Sequence, residues 1–214
     1  MGKKGIIFDM DGTLWDSSVQ VCASWDIAVA KCGYQRAPIT RKEMQSVMGK
    51  TMDQIADILF PFVEGKERTA LLESCCKEEN DYLRANGGVL YPDIRNTMEW
   101  LIAAGYHLYI VSNCQSGYIE AFLDYYGFHD LVEDIQCYGD NRKQKADNIR
   151  LMMERNTLDP EHTAYVGDIQ GDCDATEASG ARFIHAGYGF GTIDHEVPVI
   201  ARFSELPEMI ADVI

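Results

Sequence analysis

Positive charge is scarce in this sequence. Lysine and arginine number 19 against 34 aspartates and glutamates, a net charge of −15. Such a surface repels a nucleic-acid backbone, and the basic footprint of a nucleic-acid binder is missing. It also repels phosphorylated metabolites, so a phosphate site here needs local cations or a metal. No apolar run approaches the ~20 residues that span a bilayer, so no membrane partner is expected. The amino terminus, Met1-Gly2-Lys3-Lys4, leads straight into an apolar strand with no signal peptide. The seven cysteines (Cys22, Cys32, Cys75, Cys76, Cys114, Cys137 and Cys173) are odd in number and include no Cys-x-x-Cys pair. That argues against a disulfide framework or a zinc site. Reduced cysteines in a cytosolic protein are the expectation. Repeats and low-complexity stretches are absent as well.

What is present reads as a soluble globular chain: 214 residues, 46% hydrophobic and 25% charged. The length suits one large domain, or a core with a smaller insert. Helical spacing and caps predict helices over 17–33, 44–48, 51–59 and 65–84, with no strand between Leu14 and Gly87. After Asn86-Gly87-Gly88 the pattern changes. Strands at 106–111, 135–138, 163–166 and 182–185 alternate with helices at 93–104, 118–126, 146–156, 174–179 and 205–213. That alternation predicts an α/β fold, a doubly wound parallel sheet, with an inserted all-helical unit. The expected division is a core of 1–15 and 86–214 and an insert of 16–85.

Chemistry gathers at predicted strand ends. Ile6-Ile7-Phe8 is a short apolar run ending in Asp9-Met10-Asp11-Gly12-Thr13. Alternation along an extended backbone puts Asp9 and Asp11 on one side and Met10 on the other. Two carboxylates so close need a cation or a shared proton. The strand 106–111 ends in Ser112-Asn113, and the strand 163–166 ends in Gly167-Asp168, with Asp172 four residues on. Ligands in such sheets bind beyond the carboxyl ends of the strands. Carboxylates from separate strands form an all-oxygen set that suits Mg2+.

Asp9-Met10-Asp11-Gly12-Thr13 resembles the first motif of the haloacid dehalogenase (HAD) superfamily, in its phosphatase branch. Ser112-Asn113 resembles the second motif, and Gly167-Asp168-Ile169-Gln170-Gly171-Asp172 the fourth. The third is a single lysine; Lys145 stands at the right place, with Lys143 two residues away as a competitor. The family often has Lys-Pro where this chain has Lys145-Ala146. The 16–85 insert resembles the family's small helical cap, which closes over substrate, on a HAD-like Rossmannoid core.

The resemblance implies a Mg2+-dependent phosphohydrolase of a small phosphorylated metabolite. Asp9 is the implied nucleophile and Asp11 the general acid/base. Thr13, Ser112, Asn113 and Lys145 are implied phosphoryl ligands. The implied metal ligands are Asp9, the Asp11 backbone carbonyl, Asp168 and Asp172, the last directly or through water. Gly49-Lys50-Thr51 lies in a loop between two helices of the insert, with Arg36, Arg41 and Lys42 nearby in sequence, and Lys50 is the candidate for substrate specificity. A phosphomutase of the β-phosphoglucomutase type shares every core motif. A dehalogenase lacks the acid at Asp11. A phospho-accepting receiver carries its acceptor on a later strand and has no cap. Gly187-Tyr188-Gly189-Phe190-Gly191 lacks dinucleotide spacing and reads as a flexible rim loop, with His185 structural. Substrate identity and oligomeric state are not legible.

Overall fold

The computed structural model describes residues 3–214. The first strand, β1 (Lys3–Phe8), is central. Ile6 and Phe8 pack into one apolar cluster, while Ile7 packs on the opposite face with Tyr109, Tyr165 and Met152. A strand covered on both faces reads as a solid apolar run, which is why Ile6-Ile7-Phe8 shows no alternation.

β2 (Trp15–Asp16) follows a tight turn at Gly12, whose φ is +85°. Four helices come next: α1 (Ser18–Lys31), α2 (Arg41–Gln45), α3 (Met52–Leu59) and α4 (Gly65–Asn86). Then β3 (Val89–Leu90) returns to pair antiparallel with β2. The first strand of this two-residue ribbon, Trp15–Asp16, corrects the expectation of no strand between Leu14 and Gly87; strands so short carry no periodic signal. Trp15 stands at the ribbon, edge-on to Tyr118, Phe122 and Tyr126 at centroid distances of 5.6, 5.1 and 6.2 Å. That aromatic cluster ties the ribbon to the sheet side of the molecule.

The rest of the chain alternates: α5 (Ile94–Ala103), β4 (His107–Ser112), α6 (Tyr118–Tyr126), β5 (Asp134–Cys137), α7 (Tyr138–Asn141), α8 (Lys145–Asn156), β6 (Leu158–Gly167), α9 (Gln170–Ser179), β7 (Arg182–Ala186), β8 (Val199–Ile200) and α10 (Leu206–Val213). The sheet order is β5-β4-β1-β6-β7-β8, parallel throughout. From β1 the chain builds one side through β4 and β5, then crosses back to build the other through β6, β7 and β8. The reversal opens a crevice at the carboxyl ends of β4, β1 and β6.

Some boundaries differ from the sequence reading. α2 is formed by the capping-box residues themselves rather than by 44–48. The Glu43 N–H donates to Thr40 Oγ1 at 3.2 Å and the Thr40 N–H to Glu43 Oε2 at 2.8 Å. α9 starts at Gln170, not Asp174, because the Asp172 carboxylate accepts the Asp168 and Ile169 N–H groups and opens the helix there. The short α7 and β8 were not foreseen.

Candidate active site

Pairing of Phe8 with Ile110 and with Val166 sets the register of the crevice. Asp9, one residue past β1, donates its N–H to the Val166 carbonyl at 2.9 Å. Asp168 follows β6 and Ser112 ends β4, so all three arrive at one edge. Met10 is in the core, while Asp9 and Asp11 both line a cavity.

Lys145, the first residue of α8, is the cation of the cluster. Its Nζ lies 2.9 Å from Asp9 Oδ1 and 2.5 Å from Asp172 Oδ1, and 5.6 Å from the Tyr165 ring centroid. Burial alone would lower its pKa, but Asp172 and Asp9 outweigh it and hold the ammonium well above its ordinary range. Lys143, the sequence competitor, is exposed and takes no part in the cluster.

Asp9, Asp168 and Asp172 are all buried, with carboxylate oxygens within 4.8 Å of one another. Burial pushes Asp9 up to about 6 against the pull of Lys145, and Asp168 up to about 8 with repulsion from Asp172 and Asp9 added. The cluster therefore holds more negative charge than Lys145 neutralises. Asp168 accepts the Phe190 N–H on Oδ2 at 2.7 Å. Asp172 is engaged at both oxygens, by Lys145 on Oδ1 and by backbone N–H groups on Oδ2. Three buried hard carboxylates whose oxygens converge in this way fit Mg2+. Asp172's commitments suit an outer role through water better than a direct bond.

Asp11 sits in different surroundings. Ser17 Oγ donates to its Oδ1 at 2.6 Å, and the Tyr118 hydroxyl lies 2.8 Å from each carboxylate oxygen. Burial raises its pKa to about 7, although both hydrogen bonds pull the other way. The hydroxyl of Thr13 is buried with no partner. Ser112 and Asn113 line the cavity. The Asn113 amide donates to the Gly49 carbonyl at 2.8 Å, across to the helical side, and leaves its Oδ1 unpartnered. Buried polar atoms without partners are uncommon and mark places where a ligand or water completes the bonding.

The cavity roof comes from α1 to α4: Val21, Trp25, Met44, Met52 and Ile55, with Lys50 at its margin. Lys50 is exposed. Arg36 and Arg41 are engaged elsewhere, Arg36 on the Leu59 carbonyl and Arg41 on Asp16 at 2.5 Å. Lys42 faces a separate open cleft.

Several site residues were missed from sequence. Glu79 is buried in the roof, 2.5 Å from Trp25 Nε1, and burial raises its pKa to about 8. Its signal was present: with Leu72, Cys75 and Leu83 it occupies the buried stripe of α4, an acid where an apolar residue belongs. Tyr118 and Tyr165 have no comparable local mark. The rim loop is a clamp rather than a flexible edge. Gly189 and Gly191 pack so closely on Asp168 that a Cβ at either would fall 2.3 or 2.9 Å from it, and Tyr188 donates to the Thr13 carbonyl at 2.8 Å. His185 Nε2 lies 3.2 Å from the Asp168 carbonyl, in keeping with a structural part.

Residues 6–186 match the haloacid dehalogenase-like hydrolase family model, so the chain belongs to that family. The phosphoglycolate phosphatase of Aliivibrio fischeri is 26% identical over 218 residues, covering 98% of this chain and 92% of the relative. A predicted phosphoglycolate phosphatase from Haemophilus somnus superposes with a TM-score of 0.84 at 19% identity, covering 97% of each chain. CbbY of Rhodobacter sphaeroides, solved with phosphate, gives 0.76 at 20% identity over 96% of each chain. Within the family this chain is a phosphatase. Among the described residues no helix is long and apolar enough to cross a membrane.

Proposed function

We propose that this phosphatase hydrolyses a small phosphomonoester with Mg2+, through an aspartyl phosphate on Asp9. The observation that carries the reading is the contrast between neighbouring carboxyls. Asp9 is ion-paired with Lys145, whereas Asp11 meets only the hydroxyls of Ser17 and Tyr118, and burial holds it up to about 7. An anionic oxygen beside a carboxyl able to exchange a proton at neutral pH is the pairing that in-line phosphoryl transfer needs.

In this scheme Asp9 Oδ2 attacks phosphorus while Lys145 holds Oδ1 and fixes the carboxylate plane. Asp11, protonated, gives its proton to the departing oxygen. As the carboxylate it then takes a proton from the water that releases phosphate. The hydroxyls of Thr13 and Ser112 and the backbone N–H of Asn113 donate to phosphoryl oxygens. Asp9, the Asp11 carbonyl and Asp168 would hold Mg2+, with Asp172 positioning Lys145 and the loop that carries Asp168. When bound, Mg2+ neutralises charge on the phosphoryl group.

Residues 16–85 act as the cap in this reading, and 1–15 with 86–214 as the core. The relatives point to phosphoglycolate as the first substrate to try, since a short anionic leaving group suits a narrow cavity with Lys50 at its edge. The seven free cysteines support a cytosolic setting.

Asp9→Asn should lower turnover of p-nitrophenyl phosphate by about 10⁴-fold or more. Wild type should form an acid-stable phosphoenzyme and gain thermal stability with Mg2+. Substantial Asp9→Asn activity would sink the nucleophile assignment. Isomerised sugar phosphate in place of free phosphate would convert the reading to a phosphomutase.

A further inference from the structure

α9 presents a second group of ligand-type side chains that shares no residue with the Asp9 cluster. Cys173 and Glu177 are one helical turn apart, and His195 reaches them from the segment after the rim loop. Cys173 Sγ lies 3.8 Å from His195 Nε2 and 3.9 Å from Glu177 Oε1, and His195 Nε2 is 3.1 Å from Glu177 Oε1. Zinc bonds of about 2.3 Å to sulfur and about 2.0–2.1 Å to nitrogen and oxygen, at tetrahedral angles, separate ligand atoms by about 3.3–3.6 Å. The three observed separations straddle that range, within a few tenths of an ångström.

The histidine is also oriented as a metal ligand would be. Its Nδ1 lies 2.8 Å from Asp194 Oδ1. A carboxylate on Nδ1 turns the Nε2 lone pair toward the other ligands, the usual support behind a ligating imidazole. The Asp194 N–H in turn donates to Gln170 Oε1 at 2.9 Å, which pins this segment to the first turn of α9. Cys173 itself is buried, with its Sγ within 4 Å of both other ligand atoms.

We propose that Cys173, Glu177 and His195 bind a borderline transition cation of the Zn2+ or Co2+ type, with a fourth position open to water. Binding exchanges the protons on Sγ and Nε2 for the cation. A mixed sulfur, nitrogen and oxygen set discriminates against Mg2+, which prefers oxygen alone. The ion would act as a clamp. It joins α9, whose first turn carries Asp172, to the far end of the loop whose Phe190 N–H holds Asp168.

The test uses the full-length protein in excess Mg2+, so that the oxygen cluster is filled, and titrates Co2+ and then Zn2+. One Co2+ per chain with a sulfur-to-cobalt charge-transfer band, displaced by Zn2+, is expected. Cys173→Ser should abolish the band. His195→Ala, at a half-exposed position that folding tolerates, should weaken binding at least tenfold, and Asp194→Asn should weaken it about 10–100-fold. Asp168→Asn should leave the band intact. No band in wild type, or a band that survives both Cys173→Ser and His195→Ala, overturns the proposal.

Discussion

The floor and the roof of the cavity handle buried carboxyl groups in opposite ways. On the floor, Asp9 and Asp172 share Lys145, and the surplus charge waits for a cation. In the roof, Glu79 faces Trp25 and no cation, so burial leaves it neutral. A floor built on strand ends can aim several charges at one point, because register fixes where each strand stops. The roof, built on the sides of helices, offers apolar surface with single polar groups such as Glu79. In the proposed reading the floor carries the reaction and the roof the recognition.

The sharpest way to break this contrast is to remove the shared cation. Lys145→Met leaves Asp9 and Asp172 buried and unpaired, and should destabilise the metal-free protein by about 3–5 kcal/mol. Denaturation with and without Mg2+ measures it, and Mg2+ should recover part of the loss.

The roof answers to pH. Glu79 has a folded-state pKa of about 8, above its ordinary 4.5. Its contribution is therefore fully favourable below about pH 4.5 and is lost as the pH rises through about 8. At about 1.4 kcal/mol per unit, wild type gives up roughly 3 kcal/mol near neutrality. Glu79→Gln keeps an acceptor for Trp25 and cannot ionise. Its stability relative to wild type should therefore rise between about pH 5 and about pH 7.5 in denaturant titrations. A constant difference would show that Glu79 is not held neutral.

The smallest effect tests recognition alone. Lys50→Ala should raise KM for a phosphoester with an anionic leaving group about tenfold, about 1.4 kcal/mol. The kcat should hold, and p-nitrophenyl phosphate should be hydrolysed as before. A fall in kcat for both substrates would place Lys50 with the floor.

The same contrast explains what could be read in advance. Asp9, Asp11 and Asp168 stand next to apolar runs, so strand-end logic found them, and the order of motifs singled out Lys145. The central strands were legible because each is a block of β-branched and aromatic residues. The roof had no such grammar. Trp25 and Glu79 lie on different helices and meet only through helix packing, a long-range arrangement that no local spacing encodes. Asn113 shows the limit from the other side. Its position was foreseen, but not its bond to Gly49, because that partner belongs to the helices. The ribbon, β8 and α7 are too short for periodicity to register.

The ribbon of Trp15–Asp16 with Val89–Leu90 has an evolutionary consequence. It brings the two ends of the excursion over residues 17–88 side by side, so to the sheet the excursion is topologically no more than a hairpin loop. Selection can lengthen, shorten or replace everything beyond that ribbon without disturbing a single strand pairing in the sheet. In the proposed reading new substrates can be explored by change within the excursion, provided Ser17, whose hydroxyl holds Asp11, is kept.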